Sequence, residues 1–350
     1  MGRLLTRCLA LLMGLPGVLL LVIFVDGRSR LLAAWLALGG IALWRARPLE
    51  LCLWLLSLSG LALQLPAYRW GRPIGNLSSF GLCLSPLNLV SERDLSSLGI
   101  GFFYGGSRRV QQVVEPVFQE MESRPQYALE SVAVPYALND LFGLGTGSGH
   151  LYYFAPQRQH RKLLLFLHGA MGNLKCYTSF WQTWAEHNGY SVVCPTFGFG
   201  FWMRPGGLET AVQAFRYAHQ NLEVAEGGCL LIGLSNGSTG AVRLTLEHPE
   251  MVEQLVLISP VLETELVGSL EFARALKHPP LIFEGDEDLN VRPESVERGI
   301  AAMRAAGIRP DYRLLPGHDH FLMFSARSIV FEGIKEISNP INAQTPPVNK

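Results

Sequence analysis

Lysine is missing from the first 67 residues of this 350-residue chain and acidic residues nearly so: six arginines stand against Asp26 and Glu50, a net charge of +4. The remainder carries 23 basic and 27 acidic side chains, so the overall charge of zero hides a split. Neither part has a basic run that could neutralise a row of phosphates, which excludes a nucleic-acid partner. Cysteine is scarce, six in all. Cys8 and Cys52 lie in apolar runs, Cys194 and Cys229 in strand-like runs where they read as small core residues, and Cys83 and Cys176 have no evident role. That is no disulfide framework. No group of His, Cys and acidic residues has metal-ligand spacing, so neither a metal nor a cofactor is expected. The glycine cluster Gly143-Leu144-Gly145-Thr146-Gly147-Ser148-Gly149 lacks a Gly-Lys-Ser/Thr ending and no helix follows it. It reads as a hairpin turn, not a phosphate loop.

Charge is absent from three apolar runs near the N-terminus: 18 residues from Cys8 to Val25, 14 from Leu31 to Trp44 and 17 from Leu51 to Ala67. A spanning helix needs about 20 apolar residues and at least about 17. The first and third runs qualify, and snorkelling of Arg30 and Arg45 would extend the second. The exit of the first run, Asp26-Gly27-Arg28-Ser29-Arg30, has no small-residue cleavage site. The expectation is a retained, multi-pass anchor of two or three helices in a lipid bilayer. Flanking arginines number four on each side, so the positive-inside rule assigns no orientation.

The richest signal is Gly233-Leu234-Ser235-Asn236-Gly237. It follows the apolar run Cys229-Leu230-Leu231-Ile232 and precedes a helix-like segment. A serine on a sharp strand-to-helix turn leaves no room for side chains two residues away on either side, so glycines flank it. Ser235 is therefore a candidate nucleophile. Upstream, the strand-like Lys162-Leu163-Leu164-Leu165-Phe166-Leu167 runs into His168-Gly169-Ala170-Met171-Gly172. Acyl transfer needs two preorganised donors for an oxyanion. The backbone N–H groups of Ala170 and Asn236 are the candidates, with His168 as a residue that shapes the loop. Downstream, Leu281-Ile282-Phe283-Glu284 ends in Gly285-Asp286-Glu287-Asp288. A later strand, Tyr312-Arg313-Leu314-Leu315, ends in Pro316-Gly317-His318-Asp319-His320-Phe321. In the order Ser, Asp, His, a histidine takes the serine proton and an aspartate stabilises the imidazolium.

These motifs resemble those of the alpha/beta-hydrolase superfamily over residues 130–337. The resemblance implies Ser235 as nucleophile, Asp288 as acid (three residues after the glycine) and His320 as base (before an apolar helix start, in preference to His318). Glu284, Asp286 and Glu287 are then read as solvated loop charges. It also implies an α/β fold of the alpha/beta-hydrolase type, a mostly parallel sheet with helices on both faces, here preceded by the transmembrane helical segment.

The expected organisation is anchoring helices over 1–67, a connecting region over 68–128 that would serve as lid or spacer, a catalytic domain over 129–337 and a disordered tail over 338–350. Strands are expected at Ser131–Ala137 and His150–Ala155, and an amphipathic helix at Val110–Met121 that is kinked or started by Pro116. Further helices are expected over 264–276 and Phe321–Ile337. The loop Pro195–Met203 carries Phe197, Phe199, Phe201 and Trp202 and is read as an apolar substrate wall. Tyr177, Phe180, Trp181 and Trp184 are read as core. The leading expectation is a membrane-anchored serine hydrolase of carboxylic esters with small-molecule or lipid-like acyl substrates. A serine peptidase or amidase, with Arg204 or Glu209 for a peptide terminus, or an acyltransferase would use the same three residues. A non-catalytic binding module is the third reading.

Overall fold

Apolar runs of five to seven residues, buried on both faces, pair as parallel strands when helices cover each face. The computed structural model describes residues 2–23, 27–45, 48, 50–55, 57, 91–103, 108–123, 140, 151–155 and 162–338. Its sheet consists of β1 (Leu151–Phe154), β2 (Lys162–Leu167), β3 (Tyr190–Pro195), β4 (Cys229–Leu234), β5 (Val252–Ile258), β6 (Leu281–Gly285) and β7 (Asp311–Leu315). The spatial order is β1-β3-β2-β4-β5-β6-β7. Only β1 runs antiparallel, to β3; every other neighbouring pair is parallel. The order places β2 between the strands of Cys194 and Cys229, which stay apart as free thiols.

Alternation along β2 divides the core. Leu163, Leu165 and Leu167 join Ala211, Val242, Val296 and Ile300 on one face. Phe166 on the other meets Tyr177 and Trp181, and Trp181 packs against Phe331 with the rings tilted. The first layer contains α6 (Gly207–Asn221), α7 (Gly237–Glu247) and α10 (Pro293–Ala305); the second contains α5 (Lys175–Asn188) and α12 (Arg327–Ser338). Tyr177, Phe180, Trp181 and Trp184 are all buried.

Two expected helices are each broken in two. Residues 264–276 form α8 (Thr264–Val267) and α9 (Leu270–Ala275), because the Ser269 hydroxyl accepts from the Phe272 N–H and starts a new N-terminus. Residues after Phe321 form α11 (Leu322–Ser325) before α12 begins.

A separate N-terminal unit contains α1 (Gly2–Ile23), α2 (Gly27–Arg45), α3 (Glu92–Phe103) and α4 (Arg108–Glu122). The backbones of α1 and α2 meet along small residues, Gly14 on Gly40 and Gly17 on Ala33 and Ala37. Such rows let helices approach closely where no water drives them together. Leucines point outward: Leu12, Leu15 and Leu19 are 71%, 65% and 61% exposed. Among the described residues one helix, over Leu5–Val22, is long and apolar enough to cross a membrane. The second of the expected spans falls short because Arg28, Arg30 and Arg45 bracket its 14 uncharged residues. In α4, Val114, Val117, Phe118 and Met121 are buried. Their spacing is that of one helical face. The helix begins at Arg108, eight residues before Pro116, so the proline lies inside it and does not start it. Arg93 of α3 pairs with Glu115 and Glu122 of α4. The strand expected at Ser131–Ala137, the turn at Gly143–Gly149, the third apolar run beyond residue 57, Cys83 and the tail from 339 lie outside the described residues.

Candidate active site

Ser235 sits between β4 and α7 with φ 51°, a left-handed conformation that costs a non-glycine residue about 1–3 kcal/mol. Backbone bonds over-determine the turn: the Ser235 N–H donates to the Ile258 carbonyl, and its carbonyl accepts from the Ser238 N–H, both at 2.9 Å. A Cβ on Gly237 would fall inside contact distance of the Leu167 carbonyl oxygen, so the elbow fits against β2 only with glycine there. The turn lifts the Ser235 hydroxyl to the carboxyl ends of the strands.

Asp288 and His320 reach the same place from the ends of β6 and β7. The Ser235 hydroxyl donates to His320 Nε2 at 3.1 Å, and His320 Nδ1–H donates to Asp288 Oδ2 at 2.6 Å. The other Asp288 oxygen, Oδ1, accepts from the N–H groups of Asn290 and Val291 at 2.8 Å each. Asp288 is buried, and so is all but 8% of Ser235. His318 turns away: its Nδ1 pairs with Ser325 Oγ at 2.8 Å, and its carbonyl accepts from the Glu287 N–H.

Asp286 and Glu287 are exposed, as the sequence reading expected, and Asp286 accepts from the Gly317 N–H at 2.6 Å, tying the β6 loop to the histidine loop. Glu284 is not solvated, contrary to that reading. Glu284 has no exposed surface, because the alternation of β6 turns it inward beside Ile282. Burial and the neighbouring Asp288 charge push its carboxyl well above the usual carboxylate range.

The loop carrying Ala170 lies against the elbow. A Cβ on Gly169 would sit 3.1 Å from the Ser235 Cβ, and Met171 (φ 74°) and Gly172 (φ 98°) turn the chain away. Ala170 and Asn236 are both half-buried, and Asn236 is the N-cap of α7. His168 is fully buried, and desolvation lowers its pKa to about 4. Its Nδ1 bonds the Gly169 carbonyl and its Nε2 accepts from the Phe197 N–H at 3.0 Å, which fixes a neutral tautomer. It joins the end of β2 to the aromatic loop.

That loop divides into two pairs. Phe197 and Trp202 are core residues, not a substrate wall: both are buried, and the Trp202 indole N–H donates to the His168 carbonyl beneath the elbow. Phe199 and Phe201 are half-buried and stacked at 5.2 Å. Between them Gly200, at φ 94°, packs on the Gly169 carbonyl and the Ala170 nitrogen, an approach any side chain would block. The sequence offered no sign of what holds the loop. Asp140, 5% exposed, accepts from the Phe199 N–H at 2.9 Å and from Arg204 Nη1 at 2.7 Å. Arg204 also lies over the Phe201 ring. Arg204, one of the two residues suggested for a peptide terminus, is thus engaged by Asp140. Asp140→Ala leaves two donors unpaired and is expected to cost about 1–3 kcal/mol of stability. If the loop lines a substrate site, the variant should also raise KM more than it lowers kcat. Thermal unfolding and steady-state kinetics check both, and a variant with wild-type stability would show that Asp140 does not hold the loop.

The strand order, the elbow after β4 and the two helical layers make this an alpha/beta-hydrolase fold. No family model and no curated protein matches the chain. Among solved structures it is similar to a protein of unknown function from Agrobacterium tumefaciens described as an alpha/beta hydrolase, with 20% identity and TM-score 0.45 over 59% of this chain and 98% of that one. It is also similar to an S-formylglutathione hydrolase from Staphylococcus aureus (15% identity, TM-score 0.45, 54% and 92% covered). A thermophilic esterase from Thermogutta terrifontis has 18% identity and TM-score 0.43, with 57% and 90% covered.

Proposed function

We propose that the protein is a serine hydrolase of carboxylic esters, with its catalytic domain over 129–337. The observation that carries this reading is the row from Ser235 through His320 to Asp288, at 3.1 and 2.6 Å, on a strained elbow. His320 Nε2 takes the hydroxyl proton as Ser235 Oγ attacks the acyl carbon, and Asp288 stabilises the imidazolium. The N–H groups of Ala170 and Asn236 receive the oxyanion. Collapse of that intermediate expels the alcohol, which takes the proton from His320. Water then repeats the sequence, freeing the acid and restoring Ser235. Phe199 and Phe201 beside Ala170 favour an apolar acyl chain. Engagement of Arg204 by Asp140 disfavours the peptidase reading.

The test is labelling of the purified chain with a fluorophosphonate, followed by turnover of a panel of acyl esters and peptide amides. Labelling with ester turnover supports the proposal, and amide preference would move it to the peptidase. A chain that never labels would leave the fold as a binding module.

The exposed leucines of α1, and of α2 packed on it, support a membrane tether formed by residues 1–67. Deleting those residues is expected to release the protein from the membrane fraction without detergent. Fractionation of extracts reads this, and a deletion variant that still sediments with membranes would overturn the tether.

A further inference from the structure

Two carboxyl groups lie together behind His320, and their surroundings differ. Asp288 receives three donors: His320 Nδ1–H on one oxygen and two backbone N–H groups on the other. Glu284 receives one, the Gly285 N–H on Oε1 at 3.0 Å. Its Oε2 is buried with no hydrogen-bond partner. The Asp288 carboxylate is close enough to act on Glu284. A buried pair of carboxyls cannot both ionise, and the charge settles where the donors are. An orphaned oxygen with a carboxylate beside it suits an O–H donor.

We propose that Glu284 keeps its proton at neutral pH and acts as a positioning residue, turning that O–H toward Asp288 and extending the row Ser235–His320–Asp288 by a fourth member. This rests on the reading of Ser235, His320 and Asp288 given above. Glu284 transfers no proton. Its donor draws negative charge from Asp288 and so limits how strongly Asp288 holds the imidazolium. Other titratable groups on this face are Tyr312 of β7, whose buried hydroxyl lacks a partner, and Glu297 of α10, which acts on Tyr312. Burial and these acidic neighbours push the Tyr312 phenol up to about 12, so it too stays neutral.

The deciding variant is Glu284→Gln in the full chain, a near-isostere that keeps a donor and cannot ionise. Infrared spectroscopy of the wild type at neutral pH should show the carbonyl band of a buried protonated carboxylic acid, absent from Glu284→Gln. The ascending limb of fluorophosphonate labelling rate against pH should coincide for the two proteins. In Glu284→Leu, without a donor, Asp288 holds the imidazolium more strongly, and the limb should move up by about one unit. A merely structural Glu284 would leave the limb in place in every variant that folds, and that result overturns the positioning role. An absent band, with the Glu284→Gln limb shifted to lower pH, would mean an ionised Glu284 and overturns its protonation. Stability gives a third readout that does not involve Ser235. The folded chain keeps a proton that the unfolded chain loses above the ordinary carboxylate range, so the wild type should lose stability relative to Glu284→Gln as pH rises from there. If no protein labels, the serine reading fails with the positioning role, while the band and the pH dependence of Tm still report whether Glu284 holds its proton.

Discussion

Ser235→Ala is expected to lower kcat for an acyl ester by about four orders of magnitude or more, while the melting transition stays where it was. Both halves follow from the elbow. The left-handed conformation at Ser235 is fixed by the backbone bonds to Ile258 and Ser238. Alanine in the same turn bears the same strain, and the small buried hydroxyl leaves His320 Nε2 facing the substrate side. Without Oγ there is no atom to carry the acyl group, and only the oxyanion donors and binding remain to accelerate attack by water. A melting temperature that falls along with activity would indicate collapse of the turn. Undiminished turnover in a folded variant would remove Ser235 from the mechanism.

The second large effect separates two histidines two residues apart. His320→Ala should lose about as much as Ser235→Ala, because the two act as a unit and removing either disables both. His318→Ala should lose less than about tenfold. Its ring bonds Ser325, and the Glu287 N–H that anchors the Asp288 loop is received by the backbone carbonyl of His318, which alanine retains. Steady-state kinetics on both variants, with thermal unfolding as a control, reads the contrast, and the reverse ranking would reassign the base.

The elbow and the strand ends were legible because they are locally imposed. Gly237 must be glycine where the turn meets β2, and the buried strands announce themselves as apolar runs. What lay beyond the sequence is what depends on neighbours brought from far along the chain. Asp140 meets Phe199 across 59 residues, and no pattern around position 140 marks it as a clamp. Phe197 and Trp202 look the same in sequence as Phe199 and Phe201, yet the bond to His168 and the packing beneath α7 draw the first pair inward. Glu284 looks like one more charge in an acidic loop. Its last place on an inward-facing register is what buries it.

Phe197 and Trp202 root the aromatic loop in the core, and Asp140 ties down its crest, so Phe199 and Phe201 occupy an exchangeable cassette between fixed posts. The segment between β5 and β6 offers only the short α8 and α9. On the proposed reading, selectivity for acyl groups would be concentrated in few positions. A combinatorial library confined to residues 199 and 201 would explore altered substrate range without touching the groups that hold the scaffold together, whereas randomising 197 or 202 would mostly sample unfolded chains.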